Sequence, residues 1–187
     1  MNKFNHVFIY GAYLIMSALF LCCQNQNDYS YENLIKEGDN IVKAFDKNDV
    51  MVFAETMKHN YERVRDINNW KKEYISILNV FKTNEIKVVK VIIEPESEDY
   101  YCVSNLYYDQ QNKLKVIIED VSYFNSTCTE GILNKKSVYY LNNQSEIHKN
   151  VEYTDENQEI VNDTTACLDN YSCDIKRYYN YKDIPIS

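Results

Sequence analysis

The sequence predicts an α+β domain, with N-terminal helices over about residues 31–82 packed on a C-terminal antiparallel β-meander over about residues 86–182. The first ground is a change of period: apolar residues recur every three to four positions up to about residue 84 and every second position after it. The second is that the links between the later apolar runs are too short for the crossovers that parallel strands need. The third is that Gly and Pro, at 3 and 2 residues, are too few for flexible linkers, collagen-like repeats or Gly-rich phosphate loops.

The first helix is expected from about Tyr31 to Asp46. Leu34, Ile35, Gly38, Ile41, Val42 and Phe45 make one apolar face, Asp28 or Ser30 can cap the start, and Glu32 suits the positive end of the dipole. Asn48 is placed to cap a second helix with Phe53, Met57, Tyr61 and Val64 on one side. A third, from about Asn69 to Lys82, would align Trp70, Tyr74, Ile77, Leu78 and Phe81. Stripes of this kind form core, so the helices are expected to cover one face of the sheet and leave the other partly wet.

Strand signals follow. "EIKVVKVIIE" is rich in β-branched residues and strand-like. "YYCVSNLYYDQQNKLKVIIEDVSYF" reads as two strands joined at "DQQN", and "SVYYLNNQSEIHKNVEYTDENQEIV" repeats the device with turns at "NNQ" and "TDEN". Ile147, Lys149, Val151 and Tyr153 alternate with Glu146, His148, Asn150 and Glu152. "CDIKRYYNYKDI" is expected to close the series as a last strand.

The length of 187 residues suits a single domain, read here as residues 31–187. Ahead of it, Met1–His6 carries one lysine, and Val7–Leu21 is a 15-residue uncharged, largely apolar run. That run is shorter than the roughly 20 residues a membrane span needs, and no Lys/Arg cluster follows it. Residues 1–22 therefore read as a signal peptide, and residues 23–30 as a polar tether. The segment "LFLCCQ" resembles the signal of bacterial lipoproteins, in which an apolar tripeptide precedes a cysteine that is lipidated before cleavage. The resemblance covers residues 1–23 only. It implies a diacylglyceryl thioether and an N-acyl chain on Cys23, with Cys22 as the alternative, and hence stable membrane anchoring. An ordinary secreted protein is the other reading.

Export implies an oxidising compartment, in which Cys102, Cys128, Cys167 and Cys173 can pair. Removing the leader with Cys22 and lipidating Cys23 leaves these four, an even number. Four cysteines allow three connectivities. The sequential one, Cys102 with Cys128 and Cys167 with Cys173, is the expectation. CxxC and tight Cys/His pairs are absent, so neither a zinc site nor a redox pair is indicated, and no cofactor is expected.

The formal charge is 20 − 28 = −8, or 19 − 28 = −9 once Lys3 leaves with the leader. Such a surface repels nucleic-acid phosphates and anionic headgroups, which excludes nucleic acid as a partner. Twelve of the 18 tyrosines lie at or after Tyr100, many as doublets that put one ring on each face of a strand. Tyr101, Tyr107, Tyr139 and Tyr178 are the candidate binding face for a protein or glycan. The acidic runs Glu94–Asp99 and Glu152–Glu159 read as solvated turns, and the sequons at Asn125, Asn143, Asn162 and Asn170 follow from abundant Asn. No recognisable catalytic motif occurs. The sequence thus points to a non-enzymatic, lipid-anchored binding domain on the periplasmic or cell-surface side of a bacterial envelope, the outer membrane included. An immunity or inhibitor protein for a basic toxin or enzyme, and a hydrolase of unrecognised type, are the alternatives.

Overall fold

The computed structural model describes residues 31–45, 50–65, 70, 73–93, 100–125, 131–162 and 172–186. The leader, Cys22, Cys23, the tether, Cys128 and Cys167 lie outside them. The described chain is mostly β. It has one helix, α1 (residues 31–44), and eight strands: β1 (Met51–Thr56), β2 (Tyr61–Val64), β3 (Tyr74–Lys82), β4 (Lys87–Ile93), β5 (Tyr100–Tyr108), β6 (Leu114–Asn125), β7 (Gly131–Asn142) and β8 (Ser145–Thr154). All pair antiparallel in one sheet of order β2-β1-β3-β4-β5-β6-β7-β8.

Helix α1 forms where the apolar stripe predicts it. Tyr31, Leu34, Ile35, Ile41, Val42 and Phe45 pack on Phe81, Val88, Tyr107, Val116 and Ile118 of the sheet. Gly38 sits at the closest approach, where a Cβ would lie 2.7 Å from Cδ1 of Tyr107. The Tyr107 hydroxyl then donates to Asp39 Oδ1 at 2.7 Å, fixing helix to strand.

The expected second and third helices are strands instead. Phe53 lies on β1, Met57 in the turn after it, and Tyr61 and Val64 on β2. Their helix-like spacing therefore spans a hairpin. β3 is central and buried on both sides, so Ile77 and Leu78 are both buried, and a continuous apolar run results where an alternating one would mark a half-exposed strand. β-branched and aromatic residues decide the outcome there.

The meander from β4 to β8 follows the sequence closely, and its turns explain why. Asp109 Oδ1 accepts from the backbone N–H of Gln111 and Lys113, both at 2.9 Å, while Asn112 takes φ 64°. The same device recurs at Asp155, which accepts from Asn157 and Glu159, with Gln158 at φ 66°. Asx side chains and a left-handed residue close both turns. Between β7 and β8, Asn143 and Gln144 both have positive φ, as a two-residue hairpin turn requires.

The face away from α1 is not wet. The final stretch, expected to be a strand, is an irregular strap over residues 172–186 with one 3-10 turn at Tyr181–Asp183. Tyr178, Tyr179, Tyr181 and Ile184 pack on a core of Leu78, Val89, Leu106, Tyr108, Leu114, Ile117 and Leu141. Leu114 N–H donates to Tyr179 O at 2.9 Å and Tyr181 N–H to Asn112 O at 2.8 Å. Cys102 on β5 is bonded to Cys173 on the strap, with 5.7 Å between their Cα atoms. This corrects the sequential connectivity, because the strap returns across the sheet to β5. Among the described residues no helix is long and apolar enough to cross a membrane.

Candidate functional site

The three doublets that lie on strands put one ring on each face of the sheet, but α1 and the strap cover much of those faces, and Tyr107, Tyr108 and Tyr139 are buried. Tyr107 is buried beneath α1. Burial first, and its bond to Asp39 second, push its phenol far above the ordinary range, so it stays a neutral donor. Tyr139 is buried on the opposite face and donates to Glu119 Oε2 at 3.1 Å. The Arg177 guanidinium and the Lys149 ammonium each lie 4.8 Å from its ring centre. Tyr178 belongs to the strap, and its carbonyl accepts from the Tyr108 hydroxyl at 2.9 Å. Only Tyr101 is open, at 40 % exposure, on the α1 side. The structure does not bring these four rings to one surface.

A different apolar group is presented. Phe124 on β6 and Ile132 on β7 are register partners, exposed to 66 % and 46 %. Both lie on the α1 side of the sheet, by alternation from Val116 and Tyr140. Tyr101 is on the same side one strand away, opposite Ser122, whose hydroxyl donates to Asn134 Oδ1 at 2.7 Å. Next to them the row Asp120–Lys136–Glu152 crosses β6, β7 and β8 with alternating charge. Burial raises the Asp120 carboxyl above its ordinary range, against the pull of Lys136 and Lys90. The sequence signal for Phe124 and Ile132 lies in the alternation of "SYFN" and "GILN", which abundant tyrosine masks.

This surface lies at one end of the molecule. At the other end the Tyr31 hydroxyl, at the start of α1, donates to Leu141 O at 3.0 Å. The nine residue steps along β7 from Ile132 to Leu141 span about 30 Å.

On the strap side, Ser104, Glu119 and Ser137 form a buried polar row in register across β5, β6 and β7. Glu119 accepts from Tyr139 on one oxygen and from Arg177 Nη2, at 3.4 Å, on the other. The row thereby fastens the strap to the sheet. Among the described residues no group of His, Cys, Asp or Glu is arranged to hold a metal ion. Comparison with protein-family models, with curated proteins and with solved structures gives no match for this chain.

Proposed function

We propose that the chain is a lipid-tethered binding domain of a bacterial envelope, holding a protein-binding surface away from the membrane. The observation that carries this is the placement of the exposed Phe124–Ile132 pair at the end of the sheet opposite the start of α1. With the acyl chains on Cys23, the tether of residues 23–30 enters at the Tyr31 end. Its eight residues reach at most roughly 28 Å when fully stretched. Turning the Phe124–Ile132 end down onto the bilayer with the Tyr31 end uppermost would require that full extension. The net charge of −9 after removal of the leader further disfavours contact with anionic headgroups. An aromatic ring, a branched aliphatic chain and Tyr101 together suit a folded protein surface, where such groups dominate binding energy.

Intact mass spectrometry of the membrane fraction, comparing wild type with Cys23→Ala, tests the anchor. Wild type should carry the acylated Cys23, and the variant should lose it. A soluble, unacylated wild-type protein would sink the anchor. A photo-crosslinker at Phe124 tests the surface, with one at Gln111 as the near-end control. A discrete adduct from position 124 alone, lost with Ile132→Asp, is expected. An inhibitor of a basic toxin would instead bind through its acidic surface, and its adduct would vanish steeply with added salt.

A further inference from the structure

A cavity of about 500 Å³ lies between the sheet and the strap, on the side away from α1. Leu78, Val89, Val91 and Leu106 form its floor, and Ile184 of the strap closes over it. Its mouth is polar and built on one cross-strand row. Tyr61, Glu55 and Ser76 are register partners on β2, β1 and β3, and His59 comes from the turn between β1 and β2. Ser76 Oγ donates to Glu55 Oε2 at 2.8 Å, and His59 Nδ1 lies 3.1 Å from Oε1. Burial, then the hydrogen bond with Tyr178, raise the Tyr61 phenol far above its ordinary range, and the charge on Glu55 adds to this. Glu55 is therefore surrounded by hydroxyls and an imidazole, and among the described residues no lysine or arginine forms an ion pair with it. Its side chain keeps 17 % exposure toward the mouth.

Aromatic faces complete the opening. Tyr61 and Tyr178 meet edge to face, with ring centres 6.5 Å apart. Lys176 Nζ already rests 5.0 Å over the Tyr178 ring, so this tyrosine accommodates an ammonium. Asp174 adds a second carboxylate at the rim. The lining carries two carboxylates, Glu55 and Asp174, against one lysine, Lys176, and the His59 imidazole, so its acids outnumber its lysines and favour a cation over an anion. We propose that the cavity binds a small primary amine on an apolar body, its ammonium at Glu55 and its body on Leu78, Val91 and Leu106. The volume suits a small organic molecule, and the site depends on neither the anchor nor the Phe124–Ile132 surface.

The test is calorimetric titration of the purified protein with three probes of one shape: phenethylammonium, 2-phenylethanol and 3-phenylpropionate. The ammonium probe should bind about tenfold or more tighter than the alcohol, as a charge-assisted hydrogen bond implies, and the carboxylate should be weakest. Glu55→Gln, which keeps the acceptor for Ser76, should erase the preference for the ammonium while leaving the alcohol unchanged. No binding of phenethylammonium, equal binding of all three, or a preference surviving in Glu55→Gln would each overturn the proposal. The comparison of probes on the unaltered chain needs no variant, so it stands whether or not Glu55→Gln folds.

Discussion

Arg177, on the C-terminal strap, reaches Glu119 Oε1 on β6 at 3.4 Å, and Glu119 is almost wholly buried. A carboxylate in that position depends on its partners, because burial without compensation is costly. Arg177→Met should therefore destabilise the fold by about 1–3 kcal/mol, toward the lower end because the arginine is one-third exposed. Tyr139→Phe, removing the other donor, should cost about 1 kcal/mol. Both bonds end on one carboxylate, so the double variant should depart from additivity, which urea unfolding measures directly.

The disulfide holds the same strap at its other end. Cys102 and Cys173 are 71 residues apart, and closing a loop of that length restrains the unfolded chain by about 4 kcal/mol. Replacing both by alanine should lower stability by that order. Under the proposed anchoring at Cys23, and with this bond made, Cys128 and Cys167 remain. Non-reducing peptide mapping should find them linked and no free thiol, whereas a Cys102–Cys128 peptide would contradict the fold.

Gly38 is a glycine because α1 lies against Tyr107. A Cβ there would stand 2.7 and 2.8 Å from two ring carbons and 3.0 Å from a methyl of Val88. The ring cannot turn aside without breaking its bond to Asp39. Gly38→Ala would gain about 1 kcal/mol of helix propensity and lose about 1–3 kcal/mol to overpacking, so a net loss is expected. A rise in the urea midpoint would show that the helix can shift outward freely.

How far the sequence could be read depended on how local each signal was. The stripe of α1 and the turns at Asp109, Asn143 and Asp155 are encoded within a few residues, and each forms where expected. β1, β2 and β3 are not legible in the sequence, because Phe53, Tyr61 and Val64 mimic a helical face across a hairpin and β3 has no wet side. The cavity mouth is illegible for the same reason. Glu55 and Ser76 are 21 positions apart and meet only through the pairing of β1 with β3. The Cys102–Cys173 bond depends on the return of the strap, which no periodicity announces.

Asp120 gives the pH dependence a definite sign. Its carboxyl is harder to ionise in the fold than in the unfolded chain, chiefly because of burial. As pH rises the unfolded chain loses this proton first, so the group's stabilisation is present in acid and lost as pH climbs through the raised folded value. Asp120→Asn removes that loss. The variant should match or exceed wild type at neutral pH, and its relative gain should shrink as pH falls to about 4. Urea midpoints at the two pH values decide it, and a gain that grows in acid would contradict the assignment.

The β7–β8 turn offers the reverse case, a site where the chain is less stable than its geometry allows. Asn143 and Gln144 have φ of 47° and 73°, the left-handed region that a two-residue hairpin demands at both centres. A Cβ crowds the following carbonyl at both positions, and Asn offsets this through local hydrogen bonds of its short side chain, which the longer Gln does not make as readily. Gln144 is exposed, so its side chain contributes little packing to offset the strain. Gln144→Gly restores the Asn-Gly pair that such turns favour and should stabilise the domain by about 0.5–1 kcal/mol, net of the greater freedom glycine has when unfolded. β8 pairs with β7 from Ser145 to Thr154 and is an edge strand, so the gain should appear first as slower amide exchange along β8. Faster exchange there, with an unchanged urea midpoint, would mean that the turn is held by something other than its own backbone.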